Sequence, residues 1–151
     1  MSKDFVHLHT HSHYSLLEAL PKIPDLVEAA KKDGQTALAL TDNGNMYGSI
    51  EFYKECKQQG LKPIIGVDFF VAPRTRNDRE HNVDDQLGRL VLLAKNDTGY
   101  HNLIRLVSAS YLEGFYVRPR IDRELIEKYH DGLVAILPSH AGEPAYALRH
   151  A

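Results

Sequence analysis

The sequence predicts an α/β fold in which strands and helices alternate along the chain. Three observations support this prediction: short apolar runs, segments of helical periodicity between them, and turn residues at their boundaries. Strands separated by helices indicate a parallel sheet of βα units. The strand count leaves an open sheet and a barrel as alternatives, because about five strands are visible and a complete (β/α) barrel has eight.

The first elements are a strand from residue 5 to about residue 11 and an amphipathic helix. The helix follows the i, i+3, i+4, i+7 rule at Ile23, Leu26, Val27 and Ala30, and Gly34 can close it. The apolar run at 36–40 is predicted to be the second strand, and Asn43 with Gly44 suits the turn after it.

The middle of the chain is predicted to form a second helix and two further strands. The helix runs from about residue 45 to residue 59, with Cys56 as a small buried group and Gly60 behind it. The strand at 62–72 is apolar enough to be covered on both faces. Residues 73–86 carry dense charge of both signs and are predicted to be a solvated, flexible loop that includes His81, before a fourth strand at 87–95.

The C-terminal part is predicted to contain a helix through Tyr100 and Tyr111, a helix that begins after Asp122, a fifth strand at 133–138 and a last helix from 143. Asp122 is a plausible N-cap, with Ile121 and Ile126 placed for a hydrophobic staple. Three histidines fall in or at the ends of these helices and are interpreted as structural or surface residues: His101, His130 and His150.

Composition limits the possible functions. The chain has 151 residues and a formal net charge of −2, so it has no global positive field for nucleic acid, and a contact with DNA would need a local patch. Its single cysteine excludes an intrachain disulfide and favours a reducing compartment. No signal-peptide core or stretch of ~20 apolar residues is visible, so we expect a soluble, cytoplasmic protein without a membrane role.

Every second residue of one early segment is a histidine: His7, His9, His11 and His13. In an extended segment such residues point to the same face, and neutral imidazole is a common metal ligand. An appended tag fits less well, because a tag usually has consecutive histidines. The segment therefore predicts part of a metal site.

Further polar residues follow the predicted strands. They are Glu18, Thr41, Asp42, Asn43, Asp68, Ser139 and His140. In parallel α/β folds ligands gather beyond the carboxyl ends of the strands, so these groups could converge on divalent metals that activate water for phosphoryl hydrolysis. Asp42 could instead bond turn amides, and His140 could be a lone loop histidine. Asp68 is harder to explain without a partner, since burial of an unpaired carboxylate is costly.

Five ordered blocks resemble the N-terminal part of bacterial DNA polymerase III alpha subunits, the PHP (polymerase and histidinol phosphatase) domain. They are FVHLHTHSHYSLLEAL, ALALTDNGNMYGSIEFY, KPIIGVDFFV, LVLLAKNDTGYHNLIRLVS and GFYVRPRIDRELIEKYHDGLVAIL. The resemblance implies a partial, distorted (β/α) barrel with a metal cluster at the carboxyl ends of its strands. The family domain has seven strands and is longer, so the resemblance implies that 1–151 is a single PHP domain ending before its last βα units.

The resemblance also implies a set of metal ligands with two substitutions. The implied candidates are His9, His11, Glu18, Asp42, Asp68 and His140, with His7 as a neighbour and His13 incidental. Asn43 and Arg89 stand where the family carries histidines. An amide is a poor ligand for a transition metal, and a guanidinium would repel a dication but could pair with Asp68. We therefore expect weak or partial binding of Zn²⁺ or Mn²⁺, or none.

The implied function is a part in DNA replication. The full-length family member is a DNA-directed DNA polymerase, and this segment would be a scaffold with a degenerate metal site. The implied partners are the rest of the alpha chain, replicase subunits including a proofreading exonuclease, and DNA through the full-length protein. The alternatives are an active metal-dependent phosphoesterase or 3′–5′ proofreading exonuclease, and an interaction module that never binds metal.

Overall fold

The computed structural model describes residues 5–139, 141–142 and 147–148. In this part of the chain the elements are α1 (Ile23–Lys32), β1 (Ala37–Leu40), α2 (Ser49–Gln59), β2 (Lys62–Val71), β3 (Gly88–Ala94), α3 (Asp97–Leu112), β4 (Arg120–Ile121), α4 (Arg123–Tyr129) and β5 (Leu133–Ile136). The helix predicted from 143 falls mostly outside the described residues. None of the described helices is long and apolar enough to cross a bilayer.

The helix ends follow the predicted signals. After α1, Gly34 adopts a left-handed conformation with φ of 79°, and Gly60 does the same after α2 with φ of 79°. Asp122 caps α4, since its side chain accepts a hydrogen bond from the amide of Leu125. Cys56 is fully buried on α2, as predicted, and burial raises the pKa of its thiol to about 11.

The sheet is mixed, so the prediction of a parallel sheet was wrong for β3 and β5. β2 lies centrally, with β1 and the short β4 parallel to it and β3 antiparallel to it, and β5 is antiparallel to β3. The segment between β2 and β3 contains no helix to carry the chain back across the sheet, and an antiparallel return needs none. The start of β3 consequently lies beside the carboxyl end of β2.

The predicted first strand at 5–11 is not a regular strand. Its backbone accepts two main-chain hydrogen bonds from the β1 region, from Ala39 to His7 (2.9 Å) and from Thr41 to Thr10 (2.8 Å). Between these two bonds the histidine segment advances three residues, from His7 to Thr10, whereas its partner advances two, from Ala39 to Thr41. A continuous ladder of hydrogen bonds therefore cannot form. The segment still lies beside β1 and reaches the edge of the sheet where β1 ends.

Two apolar clusters hold the helices on the sheet. α1 and α2 pack against β1 through Val27, Phe52 and Leu40, and α3 and α4 pack against β2 and β3 through a second cluster that includes Val67 and Phe69. Because side chains alternate along a strand, Asp68 and Phe70 point to the opposite face of β2. This face carries the polar residues described below.

The charged loop 73–86 is mostly exposed, as predicted, but it is attached to the core through Arg120 and through the contact of Arg76 with the buried Asp122. Arg120 is fully buried, and its guanidinium donates hydrogen bonds to the carbonyl oxygens of Gly114, Arg76, Asp78 and Asp84 at 2.9 to 3.0 Å. The Asp84 side chain is buried and paired with Arg74. The flexibility of the loop stays a prediction.

Candidate metal centre

Two of the alternating histidines converge with Asp68. The Nε2 atoms of His9 and His11 lie 2.9 and 3.4 Å from the same carboxylate oxygen of Asp68, and 3.2 Å from each other. The Asp68 side chain is 3% exposed, whereas those of His9 and His11 are 34% and 25% exposed. The cluster therefore has a buried carboxylate beneath two imidazoles that face solvent.

The backbone around the end of β1 places Asp68 at this edge. The amide of Asp68 donates to the carbonyl of Asp42 (3.1 Å), and the carbonyl of Asp68 accepts from the amide of Gly44 (2.9 Å). Asn43, between these two partners, forms an isolated parallel bridge with Asp68. The turn after β1 and the carboxyl end of β2 are thus joined by main-chain hydrogen bonds.

Arg89 binds the other side of the Asp68 carboxylate. Its Nε donates to Oδ1 at 3.0 Å and its Nη2 donates to Oδ2 at 2.6 Å, which is a two-pronged contact. In the antiparallel register Phe70 is opposite Arg89 and Asp68 is opposite Val91, so Asp68 and Arg89 are diagonal neighbours on one face. The guanidinium carbon also lies 4.3 Å from the ring centroid of Phe70.

The two substituted positions, Asn43 and Arg89, contact each other. The side-chain oxygen of Asn43 accepts a hydrogen bond from Nη2 of Arg89, and its Nδ2 donates to Glu18 at 2.6 Å. Glu18 in turn lies 3.6 Å from the guanidinium of Arg118. The amide suits this position because it accepts from a cation on one side and donates to an anion on the other.

The charge of Asp68 is stabilised by these neighbours. Burial alone would raise the pKa of the Asp68 carboxyl, but hydrogen bonds from His11, His9 and Arg89 outweigh burial and hold this pKa well below its usual range. Asp68 is consequently an anion whose lone pairs already have donors.

The fit to a divalent ion is incomplete. Separations of 2.9 to 3.4 Å between the three ligand atoms resemble the spacing of about 3.4 Å between ligands around one tetrahedral ion. In the described part of the chain, no fourth histidine, cysteine or carboxylate joins this group. The Arg89 guanidinium lies on the carboxylate that a metal would need, so the spacing fits an ion but the charge does not.

The other predicted residues lie elsewhere. The Asp42 carboxylate bonds Ser12 and Ser15, and Glu18 bonds Asn43, so neither belongs to the group formed by His9, His11 and Asp68. His140 lies outside the described residues, as does His150.

The alternation of histidines does not bring all four together. The ring of His7 contacts Phe5 edge-on, with centroids 4.8 Å apart, and the ring of His13 lies 4.3 Å from that of Tyr14. The interpretation of four imidazoles on one face was therefore too broad, because the segment is not a regular strand. His7 and His13 are outside the group formed by His9, His11 and Asp68.

Comparison with known proteins decides the family. Residues 7–151 match the PHP domain. The chain belongs to the PHP domain family. It is 48% identical over 145 residues to the DNA polymerase III subunit alpha of Treponema pallidum, an alignment that covers 95% of this chain and 12% of that protein. It is 51% identical over 134 residues to the corresponding subunit of Borreliella burgdorferi, with 86% and 11% covered.

The PHP chain thus spans about 12% of the length of such relatives. Among solved structures, it is similar to a proposed metal-dependent phosphoesterase from Bifidobacterium adolescentis, with a TM-score of 0.52 and 15% identity over 73% of this chain and 34% of that one. The likeness supports the fold alone. It confirms the predicted class, an α/β fold of the partial (β/α) barrel type.

Sequence reasoning missed several residues of the PHP site. Ser12 and Ser15 bind Asp42. The Phe70 ring contacts the guanidinium groups of Arg89 and Arg118, and Arg118 pairs with Glu18. The two serines beside the histidines offered a signal, since serine hydroxyls commonly bond nearby carboxylates. No local pattern marks Arg118, because its contact with Glu18 joins segments that are far apart in the sequence.

Proposed function

We propose that this chain is the N-terminal PHP segment of a DNA polymerase III alpha subunit, and that it acts there as a scaffold with a degenerate metal site. The similarity to two such subunits at 48% and 51% identity supports this proposal. The whole protein would carry out template-directed DNA synthesis in the cytoplasm. Its partners would be the rest of the alpha chain, replicase subunits including a proofreading exonuclease, and DNA.

The observation that carries the scaffold role is the contact of Arg89 with Asp68. Metal-assisted hydrolysis requires a Lewis acid that lowers the pKa of a bound water. A guanidinium stays protonated and has no empty coordination position, so it can neutralise Asp68 but cannot activate water. With Arg89 in this place, Zn²⁺ or Mn²⁺ would bind weakly, partially or not at all.

A structural role follows from what the side chains connect. The contacts run from Asp68 on β2 to Arg89 on β3, then to Asn43 after β1 and to Glu18 in the loop before α1. The last contact, between Glu18 and Arg118, reaches the segment before β4. Side chains thus join five segments of the chain without a metal ion.

Reversion of the two substituted positions tests this proposal. Asn43→His with Arg89→His restores two imidazoles and removes the cation, so we expect affinity for Zn²⁺ or Mn²⁺ to rise by at least about 10-fold, as measured by calorimetry. Adding His9→Ala should abolish the gain, whereas His101→Ala, which changes an exposed histidine on α3, should not. Unchanged affinity in the double variant would show that the assignment of ligand positions is wrong.

A second candidate function is a metal-dependent phosphoesterase or 3′–5′ proofreading exonuclease. It is favoured by the three ligand atoms that lie within 4.8 Å of one another and by the partial exposure of the imidazoles. This function would require Arg89 to leave Asp68. Stoichiometric metal in the wild-type chain, with 3′-end cleavage that is lost on His9→Ala, would establish it and refute the scaffold. A wild-type chain without measurable metal and without 3′-end cleavage would refute this second candidate.

A further inference from the structure

Asp42 is a buried carboxylate whose donors are all uncharged. Its side chain accepts hydrogen bonds from the Ser12 amide (2.7 Å), the Ser12 hydroxyl (2.8 Å) and the Ser15 hydroxyl (2.7 Å). The residue is 2% exposed. Both carboxylate oxygens are therefore engaged by the turn that follows His11, and neither points to the group formed by His9, His11 and Asp68.

The same residue also fixes the position of Asp68. The Asp68 amide donates to the main-chain carbonyl of Asp42 at 3.1 Å. Asp42 thus contacts both halves of the cluster: its carboxylate holds the turn that carries the imidazoles, and its carbonyl holds the strand that carries the acid.

The histidine segment depends on such contacts because its main chain is poorly paired. It accepts two irregular main-chain hydrogen bonds from the β1 region, at His7 and Thr10, and no regular ladder fixes its register. Side-chain bonds hold it before the histidine pair at His7 and between the two histidines at Thr10, and the Asp42 carboxylate holds it after them. Ser15 closes the turn further, since its hydroxyl also accepts from the amide of Asn43 (3.1 Å). Directional side-chain bonds therefore decide where the imidazoles of His9 and His11 lie.

We propose that Asp42 is a positioning residue, which sets the distance between the two imidazoles and the Asp68 carboxylate and does not itself coordinate metal. Replacement by asparagine keeps the size of the side chain but removes its charge and turns one acceptor into a donor. The three serine contacts cannot then all be kept, and the turn after His11 should shift. The proposal is independent of whether the site binds metal.

The test measures the imidazoles directly in the metal-free protein. In ¹⁵N-labelled chain, Asp42→Asn should shift the side-chain nitrogen signals of His9 and His11 relative to those of exposed His101. The matched control is Asp122→Asn, which removes an equally buried carboxylate that caps α4; it should lower stability without moving the His9 and His11 signals. Unchanged imidazole signals in folded Asp42→Asn would overturn the proposal.

Two further arms keep the test decisive. If Asp42→Asn does not fold, Ser15→Ala removes a single donor, and the same shift, smaller in size, is expected; its absence would count against the proposal. In the Asn43→His, Arg89→His background, Asp42→Asn should weaken Co²⁺ binding about 10-fold, because the imidazoles are displaced. An unchanged Co²⁺ affinity in a background that binds Co²⁺ would count against the proposal. Failure of that background to bind Co²⁺ would count against the proposed ligand positions alone, since the nitrogen signals are read without metal.

Discussion

Replacement of Arg89 by methionine tests whether the guanidinium stabilises the fold through Asp68. Methionine can keep the contact with the Phe70 ring but loses every hydrogen bond to the carboxylate. Removing one partner of a buried ion pair costs about 3–5 kcal/mol. Arg89 is 17% exposed, and His9 and His11 still contact Asp68, so we expect the free energy of unfolding to fall by about 2–3 kcal/mol.

A double-mutant cycle isolates this interaction. Asp68→Asn removes the charge that Arg89 neutralises, so the double variant should lose about 2 kcal/mol less than the sum of the single variants. Urea unfolding followed by circular dichroism measures each value. Arg105→Met is the control, because Arg105 is exposed on α3 and bonds Asn102. A coupling below about 0.5 kcal/mol would refute the idea that Arg89 and Asp68 form a stabilising pair.

The pH dependence gives the same prediction a second check. Because the pKa of Asp68 is lowered in the folded chain, its stabilising contribution is present above its unfolded pKa of about 4 and is lost as the pH falls below that value. Arg89→Met should raise the folded pKa and reduce this loss. The stability difference between wild type and variant should therefore shrink once the pH falls below the folded pKa of Asp68 in the variant, and a constant difference there would contradict the reasoning.

Three other predictions concern the fold. Arg120→Met leaves four carbonyl oxygens, two of them in buried hydrogen bonds, without this donor, so stability should fall by about 3 kcal/mol and trypsin should cleave loop 73–86 faster; unchanged cleavage would show that Arg120 does not anchor the loop. Gly99→Ala would place a methyl group 1.9 Å from the carbonyl oxygen of Gly132, so urea unfolding should show a loss of about 2–3 kcal/mol, and a neutral effect would contradict the close packing. Cys56 should react with a disulfide reagent at least about 10-fold more slowly in the folded chain than in urea, because burial raises its pKa to about 11; equal rates would show that the thiol is accessible.

The sequence was a good guide to elements whose signals are local. Helical spacing and closing glycines predicted α1, and the cap at Asp122 predicted the start of α4. Strand direction was not predictable from the apolar runs, because a run of buried residues looks the same in either direction. The decisive information was the connection 73–86, whose lack of helical periodicity is compatible with an antiparallel return to β3.

One contact of the site was predicted from the sequence, and others were not. The hypothesis that Arg89 pairs with Asp68 came from the resemblance, which placed a guanidinium among the implied ligands, and the structure contains this pair. The contact between Asn43 and Glu18 required knowledge of how two loops fold back, which spacing does not provide. The burial of Arg120 was missed for the same reason, since an arginine between Pro119 and Ile121 looks like a surface residue until its carbonyl partners are known.

The pairing of Asp68 with Arg89 has a consequence for how the molecule depends on its surroundings. A bound ion equilibrates with the medium and can be removed by a chelator, whereas an arginine is supplied once by translation and cannot dissociate. The chain should therefore keep its melting temperature in EDTA, because the contacts between β2, β3 and the turn after β1 do not depend on a metal ion. Only a substitution of Arg89 or of its partners would remove them.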